Sequence, residues 1–121
     1  MSKILIVDDS PAQLYSLQKI VEEGGHQTVT ANSGEAAIEI ATDENPALIL
    51  MDIVMPGMGG YQATRKLNSS DSTRHIPVIF VSSKDGEADR AWGLRQGARE
   101  YVTKPVNRVT LLTAISEAMA A

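Results

Sequence analysis

Apolar residues in this chain come in two textures. Four short runs are continuously apolar: ILIV at 4–7, ALILM at 47–51, VIFV at 78–81 and, more weakly, QTVTA at 27–31. Runs of that length without alternation predict strands buried on both faces, as in a parallel sheet. EYVT at 100–103 is shorter and more polar, which predicts an edge strand or one near the end of the sheet.

Between these runs the spacing becomes helical. Leu14, Leu17 and Val21 recur at i, i+3 and i+7 behind Ser10 as N-cap and Pro11 at the first helical position, and Gly24 and Gly25 stop the helix. Ser33 or Asn32 can cap a second helix over Ala37, Ile40 and Ala41 that ends at DENP. A third runs from about 60 to 68 and gives way to the polar NSSDST. In the fourth, Ala91, Leu94 and Ala98 predict a buried face of small residues with Gly97 at its end. In the fifth, Leu112, Ile115 and Met119 predict the buried face, behind Pro105 and Asn107. Strand and helix alternate five times, so the fold class is α/β, a doubly wound (βα)5 parallel sheet with helices on both faces.

Open sheets of this kind bind ligands just beyond the carboxyl ends of their strands. The residues there are Asp8 and Asp9 after the first run, Asp52 after the third, Ser82 and Ser83 after the fourth, and Lys104 before Pro105 after the fifth. Singly, each has an ordinary explanation as a solvated turn or surface residue. Jointly they do not, because folding alone gives no reason to place the acids, hydroxyls and amine at the ends of separate strands.

Carboxylates gathered within about 4 Å repel by roughly 4 kcal/mol per pair at an effective dielectric near 20. They need a counter-charge, which a divalent cation and Lys104 together supply. An all-oxygen donor set without His or Cys selects Mg²⁺, with Mn²⁺ as a substitute. The proline and glycines after Asp52 allow a backbone carbonyl, that of Val54 by position, to join Asp8, Asp9 and Asp52 as ligands. Beside such an ion an aspartate can act as nucleophile toward a phosphoryl group and form an acyl phosphate. Phosphorylated Asp52 carries about one more negative charge. Ser82 is placed to turn toward the new oxygens, and Tyr101 to swing into the space it leaves.

Totals narrow the partners. The 121 residues make one ordinary domain, expected to span 1–121, and carry no cysteine, so thiolate metal sites, thiol nucleophiles and disulfides are excluded. The reducing cytoplasm is the expected compartment. MSKILIVDDS lacks the pattern of a signal peptide, and no run is long enough to cross a bilayer, so no membrane partner is expected. The net charge of -4 argues against nucleic acid. That charge is uneven: residues 84–108 hold six basic and four acidic groups. Within them Ala88, Trp92, Arg95 and Arg99 fall at i, i+4, i+7 and i+11, and a Trp flanked by arginines is the composition of an interface anchor. The opposing reading folds Trp92 over the sheet edge and leaves the arginines solvated. His26 and His75 are expected at the surface, and Tyr15 and Tyr61 over the core.

The segments ILIVDDS, LILMDIVMPGMGGY, PVIFVSS and GAREYVTKP resemble the receiver domains of two-component response regulators over the whole chain. The resemblance implies a flavodoxin-like three-layer αβα fold with strand order 2-1-3-4-5. It implies Asp52 as phospho-acceptor, Asp8, Asp9 and the Val54 carbonyl at the Mg²⁺ site, and Lys104 and Ser82 on the phosphoryl group. Tyr101 would be the aromatic switch, and the Lys104-Pro105 bond would be cis. A histidine kinase would be the phosphodonor and a downstream protein the target, with enzymatic character limited to self-phosphorylation and self-dephosphorylation. KDGEADRAWGLRQGAREYVTKPV is most similar to stand-alone receivers of chemotaxis-like systems that govern type IV pilus twitching motility, and that likeness implies a receiver without an output domain of its own.

Val54 and Lys84 depart from common receiver patterns, the first by lacking a polar side chain and the second by being basic. Both flank the path of water to the acyl phosphate. Two other classes stay in view. An aspartyl-nucleophile phosphohydrolase of the haloacid-dehalogenase type wants a second Asp where Val54 stands, and a binding module without chemistry would have no need to keep the acids, Ser82 and Lys104.

Overall fold

The computed structural model describes residues 2–120. Five strands, β1 (Lys3–Val7), β2 (Gln27–Ala31), β3 (Leu48–Met51), β4 (Val78–Ser82) and β5 (Glu100–Thr103), alternate with α1 (Pro11–Glu23), α2 (Gly34–Glu44), α3 (Gly60–Asn68), α4 (Glu87–Arg95) and α5 (Arg108–Ala120). All pair in parallel in the order β2-β1-β3-β4-β5, so the more polar β2 and β5 lie at the two edges.

The unbroken apolar texture has a direct cause: both faces are covered. Leu5, Val7, Ile49, Met51, Val78 and Phe80 point to one side, into a core shared with Ala37 and Ala41 of α2 and Ala63 and Leu67 of α3. Ile4, Ile6, Leu48, Leu50, Ile79 and Val81 point to the other, against Leu17 and Val21 of α1 and Leu111 and Ile115 of α5. The result is three layers, helix on sheet on helix.

Helix starts follow their caps. The Ser10 hydroxyl accepts from the Gln13 N–H at 3.3 Å ahead of Pro11, and that of Ser33 accepts from Ala36 at 3.1 Å. Asn107 does the same for Thr110 ahead of α5. Asn45 closes α2 in the left-handed conformation, φ 46°.

Several expectations are corrected. The buried face of α5 is Leu111, Ala114, Ile115 and Ala118, with Leu112 and Met119 on its margin, so the stripe is rotated by about one residue. In α4 neither Ala91 nor Leu94 is buried; the one buried residue is Gly93. Tyr15 is 63% exposed, its ring under the Lys19 ammonium, whereas Tyr61 does cover the core, edge-on to Phe80 at 5.2 Å. His75 is exposed and bonds to Asn45, but His26 is half-buried, with its Nδ1 enclosed and unpartnered among the described residues.

Candidate phosphoryl and metal site

Asp8 directly follows β1 and Asp52 directly follows β3; Ser82 ends β4, and Lys104 follows β5. The sheet ladder carries each to the same edge. The Asp8 N–H donates to Ala31 O at 3.1 Å, Asp52 N–H to Val7 O at 2.9 Å, and Lys104 N–H to Ser82 O at 2.8 Å. Asp8 and Asp52 are buried, 1% and 8% exposed, while Asp9 faces solvent.

A carboxylate oxygen from each of Asp8, Asp9 and Asp52 lies within 4.8 Å of the others. Lys104 Nζ reaches across from the far edge strand to Asp8 Oδ2 at 3.0 Å and Asp52 Oδ1 at 3.3 Å. The other Asp8 oxygen accepts from the Ser10 N–H at 2.9 Å. Three acids against one ammonium leave the cluster two charges negative. That imbalance, on oxygen donors only, fits one Mg²⁺.

The electrostatics show the same excess. Burial, then the neighbouring Asp8 charge, push the Asp52 carboxyl above its ordinary range, against Lys104 pulling it down. For Lys104, burial works to lower the pKa, but the hydrogen bond to Asp8 and the charges of Asp52 and Asp8 outweigh it and hold the ammonium protonated.

The β3–α3 loop closes the site through Gly60. A side-chain carbon there would collide with the Asp52 carbonyl oxygen, so only glycine lets α3 begin this near Asp52. Gly60 N–H donates to Ile53 O at 2.8 Å, and the Val54 side chain, 62% exposed, stands out over the loop. The Lys104-Pro105 peptide is cis.

On the β4 side the Ser82 hydroxyl accepts from the Lys84 N–H at 3.1 Å. Tyr101 lies inside, 4% exposed, with its hydroxyl donating to Lys84 O at 2.7 Å. Burial raises its phenol pKa, with the Ser82 hydroxyl and Arg90 acting against that and Asp89 and Asp85 adding to it.

Trp92 is half-exposed and Arg95 exposed on α4, as the stripe predicts. Arg99 is not on that stripe. α4 ends at Arg95, and the Arg99 guanidinium donates to Ala118 O of α5 at 3.0 Å, at the amino-terminal edge of the sheet. Two residues escaped the sequence reading. Arg90 donates to Tyr101 O at 2.8 Å, a contact that spacing along one helix could not reveal. Thr64 is fully buried with its hydroxyl unpartnered among the described residues.

An acidic, lysine-bridged pocket at the carboxyl edge of a five-stranded 2-1-3-4-5 sheet defines a class, and the chain belongs to it. Residues 4–116 match the response regulator receiver domain, a family whose members bind Mg²⁺ in such a pocket, accept phosphoryl groups from histidine kinases and act on downstream targets. The chain is thus a receiver of two-component or chemotaxis-like signalling. It is 51% identical over 120 residues to Protein PilH of Pseudomonas aeruginosa, covering 99% of both. It is 38% identical over 114 residues to response regulator PleD of Caulobacter vibrioides, covering 94% of this chain and 25% of PleD. Among solved structures, the receiver domain of a Pseudomonas aeruginosa sensor histidine kinase, with magnesium coordinated in its active site cleft, aligns at a TM-score of 0.91 and 26% identity over 99% of this chain and 98% of that one. No helix among the described residues is long and apolar enough to cross a membrane.

Proposed function

We propose that residues 1–121 act as one receiver in which the Asp52 carboxylate takes a phosphoryl group from the phosphohistidine of a kinase, forming an acyl phosphate as the phosphorus–nitrogen bond breaks. The observation that carries this is the Lys104 ammonium shared between Asp8 and Asp52 beside Asp9, on oxygen donors alone. Asp8, Asp9, Asp52 and the Val54 carbonyl are the residues that would hold Mg²⁺. When bound, the ion offsets the carboxylates' charge and draws electron density from the phosphoryl oxygens. Lys104 stabilises the charge of the transferred group, and Ser82 donates a hydrogen bond to it.

The added charge then alters the surface built from α4, β5 and α5, where Tyr101, Trp92 and Arg95 stand, and changes the affinity of a protein target. Water reaches the acyl phosphate past Val54 and Lys84, so these two side chains set its lifetime. Likeness to Protein PilH across both chains supports a cytoplasmic role in type IV pilus motility.

Incubation with Mg²⁺ and acetyl phosphate, followed by intact-mass measurement, tests the reading. One added phosphoryl group is the expected result, absent without Mg²⁺ and absent in Asp52→Asn. Rapid phosphodonor turnover without a stable adduct would instead make the protein a hydrolase, and no adduct at all would make it a binding module.

A further inference from the structure

The loop that joins β3 to α3, residues 53–59, carries the Val54 carbonyl and has little of its own to hold it in place. One backbone hydrogen bond closes it, from Gly60 N–H to Ile53 O at 2.8 Å, and among the described residues no backbone–backbone bond reaches residues 54–58. Side chains supply the rest. Ile53 and Met55, on either side of Val54, are buried, and Met58 packs against the same core from its margin.

Met58 is where α2 meets this loop. The helix starts at Gly34, directly behind the Ser33 cap. A Cβ added to Gly34 would stand 2.8 Å from Met58 O, 3.0 Å from its Cγ and 3.1 Å from its Cβ. The nearest of these atoms is backbone, which cannot swing aside as the tip of a side chain can. Gly34 is not among the glycines with positive φ, and alanine suits helical backbone at least as well, so conformation does not call for glycine here. Close approach does. The next residue, Glu35, lies against the same loop: its Oε2 is 3.6 Å from where a Cβ on Gly57 would stand, and Gly57 turns the chain at φ 72°. Two successive residues of α2 thus support the turn of a loop that lacks backbone bonds of its own.

We propose that Gly34 is a positioning residue for the divalent-cation site: it lets the start of α2 bear on Met58 and so fixes the loop at the setting from which Val54 presents its carbonyl. The inference rests on the reading of that carbonyl, with Asp8, Asp9 and Asp52, as the Mg²⁺ ligand set. Gly34 acts through Met58 and is itself no ligand. Mg²⁺ demands near-ideal octahedral geometry, whereas Ca²⁺ accepts irregular shells, so a displaced carbonyl weakens Mg²⁺ more than Ca²⁺. The coupling also runs in reverse. An ion that fixes the loop steadies the first turn of α2, which supplies no ligand to it.

Calorimetric titration of the wild type and Gly34→Ala with Mg²⁺ and, separately, with Ca²⁺ tests this. Gly34→Ala is expected to bind Mg²⁺ about tenfold more weakly than the wild type and Ca²⁺ less than about threefold more weakly. Unfolding midpoints with divalent ions chelated report on the fold independently. A glycine with a packing role alone would lower that midpoint and change the two affinities equally or not at all, and that result overturns the proposal. Should Gly34→Ala fail to fold, hydrogen exchange on the wild type decides. Mg²⁺ is expected to slow exchange at residues 36–38, in the first turn of α2, at least about threefold while leaving residues 20–23, at the end of α1, unchanged. Rates at 36–38 that are the same with and without Mg²⁺ overturn it. A wild type that binds no Mg²⁺ overturns the ligand set and this inference together, whereas a Gly34→Ala that binds as tightly as a competent wild type overturns the inference alone.

Discussion

As the proposed phosphoryl acceptor, Asp52 would carry two demands that conflict: it must be ionised to attack phosphorus, yet burial and the Asp8 charge favour its protonated form. Asparagine at this position can still accept from Lys104 while removing the charge. The sign of the effect on stability follows from linkage. A carboxyl whose folded-state pKa is raised contributes stability fully present below the ordinary carboxylate value and lost as pH rises through the raised one. With divalent ions chelated, Asp52→Asn is therefore expected to match the wild type in acid and to exceed it at neutral pH by about 1 kcal/mol, or roughly 4 °C in unfolding midpoint. Urea unfolding at a series of pH values checks this, and a gap that stays constant with pH would refute it. At this scale the sequence was a good guide to where Asp8, Asp9, Asp52, Ser82 and Lys104 lie, because each stands at the end of a strand and strand ends are legible. Arg90, Gly93 and the Tyr101 rotamer were not. Their roles depend on how closely a helix approaches a neighbouring strand, and periodicity carries no information on that distance.

The five strands and five helices were readable as elements because their apolar residues respect one period each. α1, α2 and α3 begin and end near where caps and glycines place them. α4 shows where that reasoning gives out. Ala91 and Leu94 have the spacing of a buried face, yet the helix turns glycine inward and leaves both exposed, since the aromatic ring beneath it admits no side chain. α5 fails more mildly, its stripe centred one residue early because Leu111, not Leu112, meets the sheet. A helix seated on one glycine and a few polar bonds has little apolar burial to lose on opening. Amides of Glu87–Arg95 are expected to exchange with solvent at least about tenfold faster than those of Pro11–Glu23 and Arg108–Ala120. Mass-resolved hydrogen exchange measures this, and equal protection in the three helices would contradict the account of α4.

Across the whole molecule, the order 2-1-3-4-5 explains why residues from four segments meet. β1 and β3 are neighbours at the centre, so Asp8 and Asp52 emerge side by side, while β5 lies two strands away and only the length of a lysine bridges the gap. The apolar runs predicted a parallel sheet but not its strand order, which came from the resemblance to receivers. The site is an unbalanced charge cluster that the fold supports at some cost in stability, and a cation that binds only the folded chain repays it by mass action.

Calorimetric titration of the chain with Mg²⁺ tests that central claim most directly. One site per chain is expected, with the unfolding midpoint rising as the site fills, to a stabilisation of about 2.7 kcal/mol at a hundredfold excess over the dissociation constant. Asp9→Asn, a change at an exposed residue outside the core, should abolish or severely weaken that binding while leaving the fold intact. Heat of binding that is absent in the wild type, or unchanged in Asp9→Asn, would contradict the account.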